Sequence, residues 1–390
     1  MKQSESENNE KYSNPAKIAI LGLGGAGVKI CAELVKTALK FDIAVLDFDE
    51  KSLMSFSGGK IITPKNSFHG YSSGTGGDII VGERLSSLCR QKISEFLNGH
   101  EILIAIAGMG GGSGSAAAPI VAREAKKCGI QTIFLVTLPF SFEGHKRRIL
   151  AEKSIENLII DADIVIPIAN DILFSSMPAD SPFAEAFLKA DIEITKATEE
   201  LSKIFTSENY ISSTLPNLKN IVNRKKTTCI IGYGESKVES SDFSVRAVEQ
   251  LFDSPLLGGL SEVRKSDAAL IVISAGEKIG IGPIKRTFER VKIQLKDDAE
   301  IVCVLSKSPD EKSFKVTLIG IKYDETNLFQ KTSQKKHLLE TKKTTYTQDE
   351  LPLFTPKKGI FTNSSDNFYK NQDLDIPVFQ RKGINIDPGQ

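Results

Sequence analysis

Along the first half of the chain, short and predominantly apolar runs alternate with longer segments whose apolar positions recur every three or four residues. The runs are Lys17 to Leu21, Phe41 to Leu46, Ile102 to Ala107, Ile130 to Thr137 and Ile164 to Ile168. They have no polar face, which predicts strands of a parallel sheet covered on both sides. The periodic segments predict helices: one from Gly27 through Lys40, one over Ile79 to Leu97, one over Ala116 to Lys127 ending at Gly129, and a long one through Phe187 to about Phe205. Strand and helix in regular succession define an α/β fold with crossover helices. Farther on, strands are predicted at Cys229 to Tyr233, Ala268 to Ser274, Ile301 to Leu305 and Phe314 to Ile321, and helices at Ser241 to Asp253 and Pro283 to Ile293. This second, smaller α/β half carries no catalytic constellation.

The chemistry lies where strands end. Gly108 to Ser115 reads Gly-Met-Gly-Gly-Gly-Ser-Gly-Ser, five glycines in eight positions, between a predicted strand and a predicted helix. A tight strand-to-helix turn needs one or two glycines, and each further one adds unfolded-state entropy. Backbone N–H groups bared at the positive end of a helix form a phosphate cradle, with Gly108, Gly110, Gly111, Gly112, Ser113, Gly114 and Ser115 as its candidates. Lys17 to Leu21 runs into a second loop, Gly22-Leu23-Gly24-Gly25-Ala26-Gly27, with Asp47 twenty residues beyond. Taken alone, that is a dinucleotide fingerprint, and a nicotinamide enzyme is the alternative it raises. Such a fold does not need the loop at Gly108, whereas two glycine loops from one sheet can enclose the phosphates of one mononucleotide. Gly24, Gly25, Ala26, Gly27 and Asp47 are then its first set of ligands. A third loop, Ser72 to Asp78, contains Gly76 and Gly77 and is placed to close over a terminal phosphate. Its structural alternative is a mobile surface loop.

Glu143 and Arg147 stand four residues apart at a helix start, on one face, where they can grip a ribose and a phosphate or form an ordinary exposed pair. Asn170 follows the strand that ends at Ile168. Phe187 and Asp191 are also four apart; the ring can stack on a purine, and the carboxylate can accept from the N–H groups of guanine. Spacing alone favours a core phenylalanine and a solvated aspartate.

With 390 residues and 40% apolar composition there is room for two domains. The balance of 50 basic against 49 acidic residues gives no electrostatic case for nucleic acid. Five scattered cysteines read as small core residues in a reducing compartment. Residues 1–16 read as a polar, disordered extension without a signal peptide, and no segment approaches 18 uninterrupted apolar residues, so a cytoplasmic protein without membrane insertion is expected.

These motifs together resemble the tubulin/FtsZ family, its bacterial cell-division branch in particular. The signature loop there is Gly-Gly-Gly-Thr-Gly-Thr-Gly; Gly110 to Ala116 reads Gly-Gly-Gly-Ser-Gly-Ser-Ala, keeping both hydroxyls. Thr137 to Arg148, with Leu-Pro-Phe-Ser-Phe-Glu-Gly inside it, is similar to the branch's ribose and phosphate segment and so assigns Glu143 and Arg147. The resemblance also assigns Asn170 to the purine, Phe187 to guanine stacking and Asp191 to guanine reading. It implies a Rossmann-like GTP-binding domain with a long central helix over 17–205, a connecting loop at 206–222, and a smaller α/β domain at 223–323. It further implies GTP or GDP as the ligand, head-to-tail self-assembly, and action at the division site; Mg²⁺ is the default companion of a triphosphate, with no protein metal ligand assigned.

The resemblance fails at one place. In this family the loop after the central helix enters the next subunit's pocket and supplies two carboxylates in the pattern Asn-x-Asp-x-x-Asp. Counted without gaps from Asp191, these positions are Ser212, Thr214 and Asn217. Thr214 and Asn217 can hydrogen-bond a water but cannot take its proton at neutral pH. Slow or absent GTP hydrolysis and persistent filaments are therefore expected, either as a division protein in its own right or as a scaffold that co-assembles with an active FtsZ.

From about Asp324 to Asn371 the composition turns to Lys, Thr, Ser, Gln and Asn, a flexible linker with a reach of roughly 35–40 Å. The tail at 372–390 contains Asp375, Ile376, Pro377, Phe379 and Arg381, an apolar core between acids and bases suited to docking. It resembles the branch's tail peptide, which docks on membrane-tethering proteins such as FtsA.

Overall fold

The computed structural model describes residues 16–37, 41–64, 74–175, 182–206, 209–211, 227–308, 310–323, 368–369 and 372–373. The chain divides into two compact units, Met1–Ser333 and Gln334–Gln390. In the second unit the described residues form a two-stranded antiparallel pair, Phe368–Tyr369 with Gln372–Asp373.

The apolar runs of the first unit become one sheet. Its strands are β1 (Ile18–Leu23), β2 (Asp42–Leu46), β3 (Lys60–Ile62), β4 (Ile102–Gly108), β5 (Gln131–Leu138), β6 (Ile164–Ala169), β7 (Asn209–Ile211), β8 (Thr227–Lys237), β9 (Ala268–Ala275), β10 (Glu300–Lys307) and β11 (Ser313–Tyr323). Their spatial order is β3-β2-β1-β4-β5-β6-β8-β11-β9-β10-β7. From β3 to β6 all pairings are parallel, while β11 runs antiparallel to both β8 and β9.

Both faces of the parallel part are covered, as the runs without a polar face require. Ile20, Val45, Ile104, Leu135 and Ile166 point to one face, and Leu21, Leu46, Ala105, Phe134 and Val165 to the other. The first face carries α1 (Gly24–Val35) and α8 (Phe183–Thr206); the second carries α3 (Ile79–Leu88), α4 (Arg90–Leu97), α5 (Gly112–Lys127) and α6 (His145–Leu158). Ala190, Ile194, Ala197, Leu201 and Ile204 form a stripe on α8 at helical spacing and share a core with strands from both halves, including Ile231, Leu270 and Ile319. The other face of the second half is closed by α9 (Phe243–Asp253), α10 (Leu260–Val263) and α11 (Ile281–Lys292).

Polar contacts reinforce this junction. Tyr233 Oη donates to Glu193 Oε2 over 2.7 Å, and Lys315 Nζ lies 3.4 Å from Glu200 and 3.3 Å from Glu235. Burial, followed by the hydrogen bond to Glu193, raises the Tyr233 phenol above its ordinary value and keeps it a donor.

Three helices differ from the sequence expectation, the first being α1, which begins at Gly24 rather than Gly27. The helix over Ile79 to Leu97 is two helices, because Cys89 N–H turns back to Ser86 O in a tighter turn while Cys89 O opens α4 by accepting from Ile93. The break keeps Leu85, Cys89, Ile93 and Phe96 all against the sheet. The helix expected from Ala116 begins instead at Gly112, so the glycine loop forms its first turn. Of the cysteines, Cys31, Cys89 and Cys229 are buried, while Cys128 is exposed at the end of α5.

Candidate functional site

The chain leaves β1 towards β2 and β3 on one side, then returns to build β4, β5 and β6 on the other. Where the strand order reverses, between β1 and β4, the loops after their carboxyl ends diverge and leave a crevice, the usual ligand position in such sheets. Both predicted glycine loops open there. They border a cavity of about 770 Å³, well within the range of sites for nucleotide-sized ligands.

At one end the two loops touch. Gly24 has a left-handed φ of 69°, and a Cβ on it would lie 2.9 Å from the Gly114 backbone nitrogen. The helices α1 and α5 start at Gly24 and Gly112, and neither preceding residue, Leu23 or Gly111, offers a side-chain cap. Two sets of first-turn N–H groups therefore converge without a partner from their own helices, the donor array an oligophosphate requires. Gly24→Ala is expected to weaken phosphate binding and to destabilise the fold by about 1–2 kcal/mol, because alanine resists the left-handed backbone. Urea denaturation beside a nucleotide titration checks both.

Gly25, Ala26, Gly108, Gly111, Gly112, Ser113 and Gly114 border the cavity with Gly24. Asp47, 3% exposed, accepts from Phe48 N–H over 2.8 Å through one oxygen, while the other lies 3.9 Å from where a Gly25 Cβ would be. The third loop enters through Gly76, and its Thr75 hydroxyl lies directly against Gly112. Four predicted positions stand off the cavity wall and act on its shape. Gly27 allows α1 to press against the Ile106 carbonyl, and Gly110 turns with φ 90° beside the Arg147 carbonyl. Ser115 Oγ accepts from Gly110 N–H over 2.8 Å, and Gly77 supplies a left-handed turn, φ 85°, at the loop tip.

The remaining wall gathers Glu143, Arg147, Asn170, Phe187 and Asp191. The Arg147 guanidinium donates to Glu143, whose other oxygen accepts from Phe140 N–H over 2.9 Å. Phe187 meets Phe140 edge-on with centroids 5.1 Å apart and Phe174 at 5.5 Å, so its ring is braced from behind. Asn170 opens α7 (Asn170–Ser175), and the next residue, Asp171, anchors the Phe140 loop by accepting from Ser141 N–H at 3.1 Å.

Burial pushes the Asp191 carboxyl up to about 6; Lys29 pulls it down and Glu33 pushes it further up. In the guanine-reading role that the resemblance implies for Asp191, the ionised form is the one that accepts two N–H bonds. Affinity for guanine nucleotides is therefore expected to fall about tenfold from pH 7 to pH 5, as one proton is taken up. A direct titration at several pH values, with the Asp191→Asn variant showing a flat profile, checks this.

Sequence reasoning did not assign Lys29, Lys51, Ser52, Ser55 or Phe140, which also line the cavity. Lys29 lies one helical turn beyond Gly25, and that spacing was the available signal. Thr214 and Asn217, and the tail residues Asp375, Ile376, Pro377, Phe379 and Arg381, lie outside the described residues. Among the described residues, no three His, Cys, Asp or Glu side chains group as metal ligands, and no helix is long and apolar enough to cross a membrane.

A doubly wound sheet whose switch point presents two glycine loops, with an aromatic ring and a carboxylate beyond them, defines a mononucleotide-binding α/β protein. Residues 17–178 match the model of the tubulin/FtsZ family GTPase domain. The chain is 32% identical over 289 residues to the cell division protein FtsZ of Methanothermobacter thermautotrophicus, covering 74% of each chain. It is 28% identical over 321 residues to FtsZ 2 of Rhizobium meliloti, covering 81% of this chain and 91% of the relative. Among solved structures, an empty FtsZ dimer of M. jannaschii superposes with a TM-score of 0.70 at 25% identity, covering 84% of this chain and 98% of that one. The chain belongs to the tubulin/FtsZ family, and the architecture expected from its sequence motifs is the one observed.

Proposed function

We propose that this chain is an FtsZ-type division protein that binds GTP, assembles head to tail into filaments in the cytoplasm, and hydrolyses GTP slowly or not at all. The observation that carries the binding half is the convergence of two uncapped helix N-termini, at Gly24 and Gly112, inside the cavity that also holds Phe187 and Asp191. In this reading the glycine-loop N–H groups bind the phosphates, Glu143 and Arg147 hold the ribose and a phosphate, and Asn170, Phe187 and Asp191 take the base. Mg²⁺ accompanies the triphosphate. Asp47 and Asp49 beside the loops are oxygen donors of the kind it uses, and one or two carboxylates with phosphates and water suffice for it.

The hydrolysis half rests on Thr214 and Asn217. A neutral water needs orientation and a base for in-line attack on the γ-phosphate, and neither side chain is a base. The M. jannaschii relative was solved as a dimer, in keeping with self-assembly here. The tail, with Asp375, Ile376, Pro377, Phe379 and Arg381, is proposed to dock on membrane-tethering partners such as FtsA and so place filaments at the division site. Replacement of both acids also favours a second reading, a non-hydrolysing scaffold that co-assembles with an active FtsZ. Titration of GTP, GDP and ATP, with light scattering to follow polymer, tests the proposal; guanine preference with GTP-dependent scattering is expected. Scattering that appears only with an acid-bearing homologue present selects the scaffold, and equal affinity for ATP overturns the GTP assignment.

A further inference from the structure

The phosphate end of the cavity carries carboxylates where a triphosphate would add further negative charge. Asp47 is buried beside Gly25, and Asp49 lies against the third loop, its Cβ 3.2 Å from the position a Gly74 Cβ would take. Two carboxylates next to an oligophosphate are repulsive unless a cation stands with them. This chain supplies one. Lys51 lines the same cavity, and among the described residues its ammonium makes no ion pair or hydrogen bond.

Lys51 is held at the cradle by its neighbours on both sides. Asp49 Oδ1 accepts from the Lys51 backbone N–H over 3.0 Å, which fixes the first turn of α2 (Glu50–Met54). Ser52 Oγ lies 3.7 Å from where a Gly25 Cβ would stand, so the residue after Lys51 abuts the first glycine loop. The residue two before it abuts the third loop, whose Thr75 covers Gly112. Lys51 thus sits between the two loops assigned to the phosphates, and a flexible four-carbon stem lets its ammonium reach an oxygen of a bound phosphate as a point charge.

We propose that Lys51 is the γ-phosphate-reading residue of this chain: its ammonium pairs with the terminal phosphate, making the site prefer GTP over GDP and lessening its dependence on a divalent cation. The inference rests on the GTP reading and deepens it. A subunit that keeps its triphosphate, for want of hydrolytic acids, gains from a permanent counter-charge there, because the ammonium offsets Asp47 and Asp49 in every bound cycle.

The test uses the full chain and measures GTP and GDP affinities by titration, each with Mg²⁺ and with EDTA, for wild type, Lys51→Ala and Lys51→Arg. A charge-assisted hydrogen bond removed from a phosphate lowers affinity about 10- to 100-fold. Lys51→Ala is expected to lose that much for GTP with GDP unchanged, Lys51→Arg is expected to recover most of it, and wild type is expected to retain its GTP preference in EDTA. GDP binding reports that the variant is folded. Equal losses for GTP and GDP, no loss for GTP, or a wild-type preference that vanishes in EDTA overturns the inference while leaving guanine-nucleotide binding intact. A wild type that binds neither nucleotide overturns the GTP reading itself.

Discussion

A variant carrying Thr214→Asp and Asn217→Asp is expected to hydrolyse GTP about 10²- to 10⁴-fold faster than the natural chain, the usual contribution of a general base. In the family that this sequence resembles, the acids after the central helix act on the next subunit's nucleotide, so the gain should appear only above the concentration at which polymer forms. Turnover per subunit should then rise with polymer mass. In the family's arrangement the same two substitutions would bring negative charge towards a triphosphate, so polymer is also expected to shorten or dissolve as GTP is consumed. Phosphate release with and without assembly-blocking dilution checks the first point, and the time course of scattering checks the second. An unchanged rate in a variant that still polymerises would mean that the natural loop already positions the water by another group.

Asp191→Asn is expected to lower GTP affinity about 10²-fold, close to the loss of one or two charge-assisted hydrogen bonds. The accompanying change in specificity is more diagnostic than the loss. An amide offers one acceptor and one donor; xanthine presents a carbonyl where guanine has an amino group, so the variant should bind xanthosine triphosphate better than the natural chain does. Stability moves the other way. The folded-state value of about 6 lies above the ordinary 3.8, so the folded protein takes up a proton more readily than the unfolded chain, and stability from this group is lost as pH rises from 4 through 6. The nucleotide-free Asp191→Asn protein should therefore melt higher than wild type at pH 7 and nearly level with it at pH 4. A carboxylate that costs stability when the site is empty and is needed when it is filled is common at binding sites.

Much of this site was legible in the sequence because glycine is replaceable at few of its positions. Gly24 needs a left-handed backbone and close approach to Gly114, and no other residue type meets both, so the spacing of glycines recorded the geometry. The same chemistry hid the true start of α5: glycine and serine are poor helix formers, and only the requirement for free N–H groups at Gly112 explains a helix beginning there. The break at Cys89 left no mark, since no proline or glycine causes it and the register of Leu85, Ile93 and Phe96 against the sheet does. The edge strands β3 and β7 are three residues each, too short for alternation to register. Asp191 was singled out by the family resemblance, since its spacing from Phe187 fits a core phenylalanine and a solvated aspartate, and the Phe140 and Phe174 rings that brace Phe187 come from other elements. Lys29 and Lys51 stayed hidden because a lysine in a polar helix turn reads the same whether it faces water or a cavity.

Binding without hydrolysis is measured most directly by phosphate release from GTP by the full chain, with sedimentation of polymer from the same tube. GTP-dependent pelleting is expected with release near the no-protein background, and nucleotide in the pellet recovered as GTP. Pelleting accompanied by sustained release, with GDP in the pellet, would contradict binding without hydrolysis.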